Sequence, residues 1–356
     1  MDDFNKKYFL AANSCEGFAN CFSDSFSSDW RVYIIKGGPG TGKSSFMKFL
    51  AAKALEMEID CELCFCSSDP NSLDAVIFPE KKITVLDGTA PHILDPIYPA
   101  VCERILNFGD FWRVEDIEKH REKIIELTNE NKKYHNTVAR YLCAMGEPLR
   151  DNINLAKAAT DAEKAEKSAD RLCERYIPKR KGKYFKNYNR FLCGITPEGV
   201  VSFAKTALNI TEKQIVIEDK FGAVSHIIFK KVKKFAQICG YNTITVKNCF
   251  LPSKLTDAII IPELKLSFAR EYEYQHFNIP IRRIHASRFM DMKKLSDYRE
   301  RANFNNKVAK ELLKGAVVTL KKAKATHDML EHYYISAMDF DRLTAFANEF
   351  AKSVLK

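Results

Sequence analysis

Apolar positions along this chain fall either into short continuous runs or into helical stripes. Arg31-Val32-Tyr33-Ile34-Ile35 and Ile83-Thr84-Val85-Leu86 are β-branched and apolar over the length of a buried strand, and residues 61–66 read the same way. Residues 44–57 instead place Phe46, Phe49, Leu50 and Ala54 on one face, the period of a helix. Further on, residues 113–145 are charge-rich, with Ile117, Ile124, Leu127, Tyr134, Val138, Tyr141 and Met145 at near-heptad spacing. Gly146-Glu147-Pro148 interrupts this stripe, and an Ala-rich segment from 149 to 176 follows. The pattern predicts a helical hairpin over about 113–176, either packed on the sheet or serving as a lid, an effector arm or an oligomer contact.

The pattern then recurs. Leu10 matches Leu192, Glu16-Gly17 matches Glu198-Gly199, and Tyr33-Ile34-Ile35 matches Ile215-Val216-Ile217, all 182 residues apart. Asp74-Ala75-Val76-Ile77-Phe78-Pro79-Glu80 meets Asp257-Ala258-Ile259-Ile260-Ile261-Pro262-Glu263 at 183, with five identities in seven. A tandem duplication follows, with a first unit at 1–180 and a second at 181–356 that carries its own C-terminal helical region. The helical parts share the spacing of Leu149 and Asp170-Arg171-Leu172 with Leu320 and Asp341-Arg342-Leu343. The expected fold is α/β, with parallel sheets flanked by helices and a helical hairpin appended to each repeat. Only three or four strands are legible per copy, so one sheet shared between the copies stays open beside strands that the pattern hides.

Composition narrows the class. At 356 residues, 46% hydrophobic and 29% charged, the chain has the makings of a packed core. No apolar run approaches the ~20 residues of a membrane helix. The N-terminus is acidic and lacks the apolar stretch of an export signal, so the 11 cysteines are expected as free thiols in a cytoplasmic protein. Cys61, Cys64 and Cys66 have no second ligand pair at zinc-finger spacing and read as core thiols. The balance of 56 basic to 46 acidic residues gives +10, which permits an acidic partner.

Residues 37–44 read Gly37-Gly38-Pro39-Gly40-Thr41-Gly42-Lys43-Ser44, between a predicted strand and a predicted helix. Glycines let successive backbone N–H groups turn inward on phosphate oxygens, and the helix that starts here adds its positive end. Lys43 is expected at the β- and γ-phosphates and the Ser44 hydroxyl on Mg2+, with Ser45 completing the cradle. Asp87, at the end of an apolar strand, is the candidate second metal ligand; as the first residue of Asp87-Gly88-Thr89 it is also a turn former. Asp69 follows the strand at 61–66 and is either a water-positioning base or the opening of the turn Asp69-Pro70-Asn71. His92, just beyond Asp87, suits a γ-phosphate contact or, through its match with His276, a structural place. Asp74 and Glu80, kept in the second copy as Asp257 and Glu263, read as structural.

The second copy has lost this chemistry. At the strand register of 182, Gly37 becomes Asp219, Lys43 becomes Ser225 and Ser44 becomes His226, with Gly222 opposite Gly40. Asp87 becomes Arg270, which cannot ligate a metal. The basic stretch at 179–190, with Lys179, Arg180, Lys181, Lys183 and Lys186 beside aromatic residues, is a candidate nucleic-acid contact or a solvated linker.

With Asp74 to Glu80 and the Leu86-Asp87-Gly88-Thr89-Ala90-Pro91-His92 segment, the glycine loop makes the chain resemble a family of bacterial tandem P-loop ATPases, over nearly its whole length. The resemblance implies ATP and Mg2+ in the first repeat and, in some members, a second P-loop that residues 219–226 lack. The leading expectation is an ATP hydrolase with a nucleotide-free second repeat, its charge-stabilising arginine drawn from Arg104 or Arg140 of the first repeat or from Arg270, Arg282, Arg283 or Arg288 of the second; a further proposal is that the second repeat packs on the first site and supplies it. A small-molecule or nucleotide kinase with the hairpin as lid, and an ATP-gated binding module with little turnover, are the other readings. Missing an N-K-x-D motif, the chain is not expected to select GTP.

Overall fold

The computed structural model of the chain describes residues 6–90, 93–180, 182, 185–277 and 280–356. The first repeat opens with β1 (Lys7–Phe9), the hairpin β2 (Ala11–Ser14) and β3 (Gly17–Asn20), then β4 (Arg31–Lys36) and α1 (Lys43–Glu56). It continues through β5 (Glu62–Phe65), β6 (Leu73–Phe78), β7 (Ile83–Asp87) and β8 (Glu103–Asn107), and closes with α2 (Val114–Glu118), α3 (Arg121–Ala158) and α4 (Ala162–Tyr176). The second runs β9 (Asn187–Arg190), β10 (Cys193–Thr196), β11 (Gly199–Ser202), α5 (Ala204–Ile210), β12 (Lys213–Glu218), α6 (Ala223–Ile238) and β13 (Thr243–Lys247). Then come β14 (Thr256–Ile261), β15 (Leu266–Glu271), β16 (Arg282–His285), α7 (Met292–Asp297), α8 (Arg299–Ala337) and α9 (Phe340–Leu355).

Among the described residues each repeat builds its own six-stranded sheet, ordered β1-β5-β6-β7-β4-β8 and β9-β13-β14-β15-β12-β16. The order and the pairing sense agree strand by strand between the two sheets. The sheets are mixed rather than parallel: β6 runs antiparallel to β5 and β7, and β14 to β13 and β15. A short connection from β5 to β6, and from β6 to β7, leaves no room for a helical crossover, and neighbours joined so closely must run antiparallel. The strands that the hydrophobic pattern hid, β1 and β8 with their counterparts β9 and β16, are the edges, short and in the case of β8 largely exposed.

The two sheets meet edge to edge. Phe9 and Phe191, equivalent residues of the two copies, donate their N–H groups to each other's carbonyl oxygens, both at 2.9 Å. A pseudo-two-fold axis therefore passes between them. Beside it, buried Arg190 of β9 bonds Glu62 of β5 at 3.0 Å. The β4 side chains alternate: Tyr33 and Ile35 face the α1 layer, while Val32 and Ile34 join Val216, Ile244 and Ile260 in a core common to both sheets. This double burial explains why the central strands read as unbroken apolar runs.

The helical arms are exchanged. α3 passes Gly146 and Pro148 without a break, contrary to the expected hairpin turn, and the chain turns instead at Thr160-Asp161. Pro148 removes one helix hydrogen bond, a defect of about 3 kcal/mol, but α8 braces α3 antiparallel along its length: Asp151 accepts from Arg301 and Asn305, and Asn152 bonds Asn305 and Asn306. Beyond the turn, α4 does not fold back on its own sheet. Its stripe of Ala165, Ala169, Leu172 and Cys173 enters the core of α6, β12 and β14 in the second repeat. Reciprocally, Leu343, Ala347, Phe350 and Ala351 of α9 enter the core of α1 and β4 in the first.

These stripes are 178 residues apart, as are the caps: the Asp161 carboxylate accepts from Lys164 N–H and that of Asp339 from Arg342 N–H. The same separation relates the bridges Trp112–Met338 and Thr160–Met290 across the axis. The register inferred from Leu149 and Leu320 is thus seven residues off. Seven residues are two helical turns, so the slip keeps the same face and preserves the apolar pattern.

Phe350 of α9 lies against Tyr33 at 4.8 Å and Phe46 at 5.3 Å between ring centroids. Phe350→Ala is expected to destabilise the chain by about 3–5 kcal/mol. Hydrogen exchange should then quicken in β4 and α1 of the first repeat; exchange confined to residues 181–356 would contradict the exchange of arms.

Candidate functional site

β4 ends at Lys36 and α1 begins at Lys43, so the six residues between them form the turn. Gly40 and Gly42 adopt φ of +67° and +81°, the left-handed region that a side chain disfavours. Gly42 is the N-cap residue of α1, and no side chain caps it. The Lys43 ammonium folds back along the loop, donating to Gly38 O at 2.6 Å and Gly37 O at 3.2 Å, and lies 3.6 Å from Asp87 Oδ2. Ser44 Oγ accepts the Leu73 N–H at 2.9 Å and so ties α1 to the start of β6. Ser45 is exposed. Thr41 Oγ1 donates to Gly38 O, and Pro39 stands between the two in the half-buried turn.

The register places the carboxylates. β4 and β7 pair Ile35 with Asp87, which brings Asp87 to the carboxyl end of the central strands beside the loop. Asp87 is a turn former: Oδ1 accepts from the N–H and hydroxyl of Thr89, closing the turn, while Oδ2 faces Lys43. Asp74 precedes Ala75, the partner of Leu86, and therefore stands across from Asp87. Sequence reasoning set Asp74 aside because the second copy retains it as Asp257. What changed there is its neighbour: Arg270 occupies the Asp87 position and bonds Asp257 at 2.8 Å. The exchange of arginine for aspartate was the signal that Asp74 faces a second carboxylate in the first repeat.

Asp69 is a turn residue. Its carboxylate accepts from Asn71 N–H and from the Ser72 hydroxyl at 2.9 Å. One further neighbour comes from the other repeat, Lys324 Nζ of α8 at 3.5 Å. His92 lies outside the described residues.

The end of α8 roofs the loop. A side chain at Gly38 would meet the Tyr334 ring at 2.8 Å, one at Gly40 the Glu331 carbonyl oxygen at 2.8 Å, and one at Gly42 Leu343 of α9 at 3.0 Å. The glycines thus serve close approach of a helix as well as loop conformation. Burial works against the charge of Lys324, but a hydrogen bond to Asp328 and the charges of Asp69, Asp328 and Glu331 hold its pKa above the ordinary lysine value. His327 lies 3.3 Å from Glu331 and keeps that carboxyl below the usual range. At the separation of 178, the α3 counterparts of Lys324, His327, Glu331 and Tyr334 are Gly146, Leu149, Ile153 and Ala156. The polar roof belongs to the first loop alone, and the sequence register in use concealed it.

The second loop is shorter. Only residues 219–222 separate β12 from α6, and Gly222 at φ +77° is the N-cap counterpart of Gly42, not of Gly40. Lys43 therefore corresponds to Ala223 and Ser44 to Val224. Buried Asp219 closes the turn on itself: its carboxylate accepts from the N–H groups of Gly222, Val224 and Ser225 at 2.8–2.9 Å. An internal anion sits where an incoming one would need those donors.

The arginines expected to reach the first loop are engaged in the second repeat. Arg270 is buried against Asp257 and stacks 3.9 Å from the Tyr272 ring. Arg283 bonds Glu271 and the Phe277 carbonyl oxygen. Arg282 lies on the edge strand β16 and Arg288 in the turn after it, whereas α8 and α9 are the elements that cross to the first loop. In the first repeat Arg104 lies on the edge strand β8 and Arg140 in the middle of α3. In the basic segment, Arg180 bonds Glu263 and stacks 3.8 Å from Tyr241, Lys186 meets Ser27 and Asp29, and Arg190 is buried. Arg180, Lys186 and Arg190 thus hold this stretch to the protein, while Lys181 and Lys183 lie outside the described residues. The cysteines are free; burial pushes the Cys61 thiol up to about 12, and no metal-holding group of His, Cys, Asp and Glu occurs among the described residues.

No helix among the described residues is long and apolar enough to cross a membrane. Comparison with the profiles of known protein families, with curated proteins and with solved structures finds no match for this chain.

Proposed function

We propose that the chain binds Mg-ATP at the loop between β4 and α1 and hydrolyses it there, with the second repeat acting through α8 as a nucleotide-free partner. The observation that carries this reading is the contrast between the two loops: one fills its N–H donors with Asp219, while the other keeps an uncapped helix N-terminus with Lys43, Ser44 and Asp87 around it. Backbone N–H groups at such a terminus suit phosphate oxygens. Lys43 exchanges its two carbonyl partners for the β- and γ-phosphates, a short movement of a flexible side chain. Ser44 keeps a lone pair beside its bond from Leu73, and Asp87 keeps Oδ2, so both can hold Mg2+. The metal, when bound, neutralises phosphate charge. The cluster of Asp74 opposite Asp87 adds negative potential that favours a divalent cation over an empty site.

In this reading the second repeat contributes a lysine rather than an arginine. Lys324, held charged beside Asp69, stands on the helix that covers the loop and is placed to meet charge growing on the transferred phosphoryl group. Asp69 orients Lys324 instead of abstracting a proton. One observation favours a second reading, the gated module: Asp69 is engaged by its turn and by Lys324, leaving it little freedom to act as a base. ATP retained through purification with negligible phosphate release would separate that module from a hydrolase.

Titration with Mg-ATP is expected to give one site per chain, and Lys43→Ala to reduce phosphate release by at least about 100-fold. Two sites, or turnover that survives in Lys43→Ala, would overturn the assignment. Lys324→Ala is expected to lower kcat by roughly 10–100-fold with ATP affinity retained. An unchanged kcat would leave α8 a structural roof only.

A further inference from the structure

A cavity of about 830 Å3 opens in the second repeat, at the position that mirrors the proposed nucleotide site. Glu218, Asp219, Arg270, Glu271 and His285 bring it to the carboxyl ends of β12, β15 and β16, where ligands of open α/β sheets bind. Its far wall is α3 of the first repeat, through Leu149, Asn152 and Ile153. The volume is that of a small-molecule site.

The lining states what kind of molecule fits. The donors that would cradle a phosphate are taken by Asp219, and Arg270 is closed off by Asp257. Of the other charged groups at the cavity, Arg283 bonds Glu271, Lys310 bonds Glu273, and Glu218 lies 2.7 Å from His285. What remains toward the space is largely aromatic and aliphatic, chiefly Phe221, Phe250, Tyr272 and Tyr274 with Leu149 and Ile153. Lys220, exposed at the rim, rests 5.3 Å over the Phe221 ring and pairs with no carboxylate among the described residues. Ring faces with an unpaired lysine at the mouth suit a planar ring carrying a single negative charge.

We propose that this cavity is a binding site for a small aromatic anion, distinct from the nucleotide site of the first repeat. The divergence of the second copy gains a chemical sense from it. Where the first repeat keeps Lys43, Asp87, His327 and Glu331 around its loop, the second has Ala223, Arg270, Leu149 and Ile153. Three of the four replacements are apolar residues, and the fourth, Arg270, is paired with Asp257. A polyanion site became a site for an apolar ring. The proposal does not depend on ATP binding in the first repeat.

The probe is 1-anilinonaphthalene-8-sulfonate, titrated into the native full-length chain and read by fluorescence. A saturable enhancement with one site per chain is expected, weakened about tenfold or more by Leu149→Trp, which fills the cavity, and by Lys220→Glu, which reverses the rim charge. Tyr274→Ser replaces Leu149→Trp if circular dichroism finds the latter unfolded. Mg-ATP should leave the titration unchanged. The proposal fails if no saturable enhancement is seen, if the cavity variants titrate as the parent does, or if Ile97→Asp, in the exposed apolar segment before β8, abolishes the signal instead. Displacement of the probe by Mg-ATP would likewise count against two separate sites.

Discussion

Neither sheet is complete without a helix from the other repeat. The outer side of α1 is apolar through Phe46 and Leu50, and α9 is what covers it; α6 shows Val224, Ile228 and Val232, and α4 covers that. Removing apolar surface from water is the main favourable term in folding, so this reciprocal burial binds the copies more tightly than their edge contact at Phe9 and Phe191. It also dictates the long helices. To carry α4 and α9 across the axis, α3 and α8 must span the molecule, and 38 and 39 residues at about 1.5 Å rise each do so.

The crossing places chemistry as well as apolar surface. Because α8 ends above the first loop, residues more than 250 positions apart in sequence become neighbours, Lys324 of Asp69 and Tyr334 of Gly38. α3 ends by the same symmetry beside the second loop. Each site therefore has a floor from one repeat and a wall from the other, and each wall matches its floor: charged and polar over the glycine loop, apolar beside the loop that Asp219 closes. The two walls pack along each other as α3 and α8.

Much of this was legible from residues. Glycine spacing between an apolar run and a helical stripe located the loop, and the strand match of Asp74 to Glu80 with Asp257 to Glu263 located the repeat. Buried strands write themselves plainly because both faces demand apolar side chains. Edge strands do not, and β1, β8, β9 and β16 were missed for that reason. The helical register failed differently: a seven-residue slip preserves the face of a helix, so the apolar stripe could not distinguish 171 from 178. That error hid the correspondence of Lys324 with Gly146, and with it the roof. The interruption at Gly146 and Pro148 was misread because local propensity yields to a partner helix braced by Asp151, Arg301, Asn152 and Asn305. The destination of α4, across the axis instead of back along α3, is a choice between two equally apolar surfaces that no local pattern specifies.

The two loops show what the duplication exchanged. A helix that starts against a sheet edge leaves backbone N–H groups that must find acceptors. In the second repeat Asp219 provides them within the chain, and α6 is satisfied whatever is bound. The first repeat has no such cap on α1, and Lys43 turns to the carbonyl oxygens of Gly37 and Gly38. A polyanion that occupied this loop would satisfy the donors and release the lysine together, so the first repeat gains from a ligand what the second holds by itself. Binding that favours only the folded chain adds to its stability by mass action, about 2.7 kcal/mol at a concentration 100 times Kd. With α9 packed on α1 and α8 on the loop, that gain spreads directly to the helical arms of the second repeat. A ligand at the intact loop would therefore stabilise both halves of the molecule, because each exchanged arm packs on the other half's sheet.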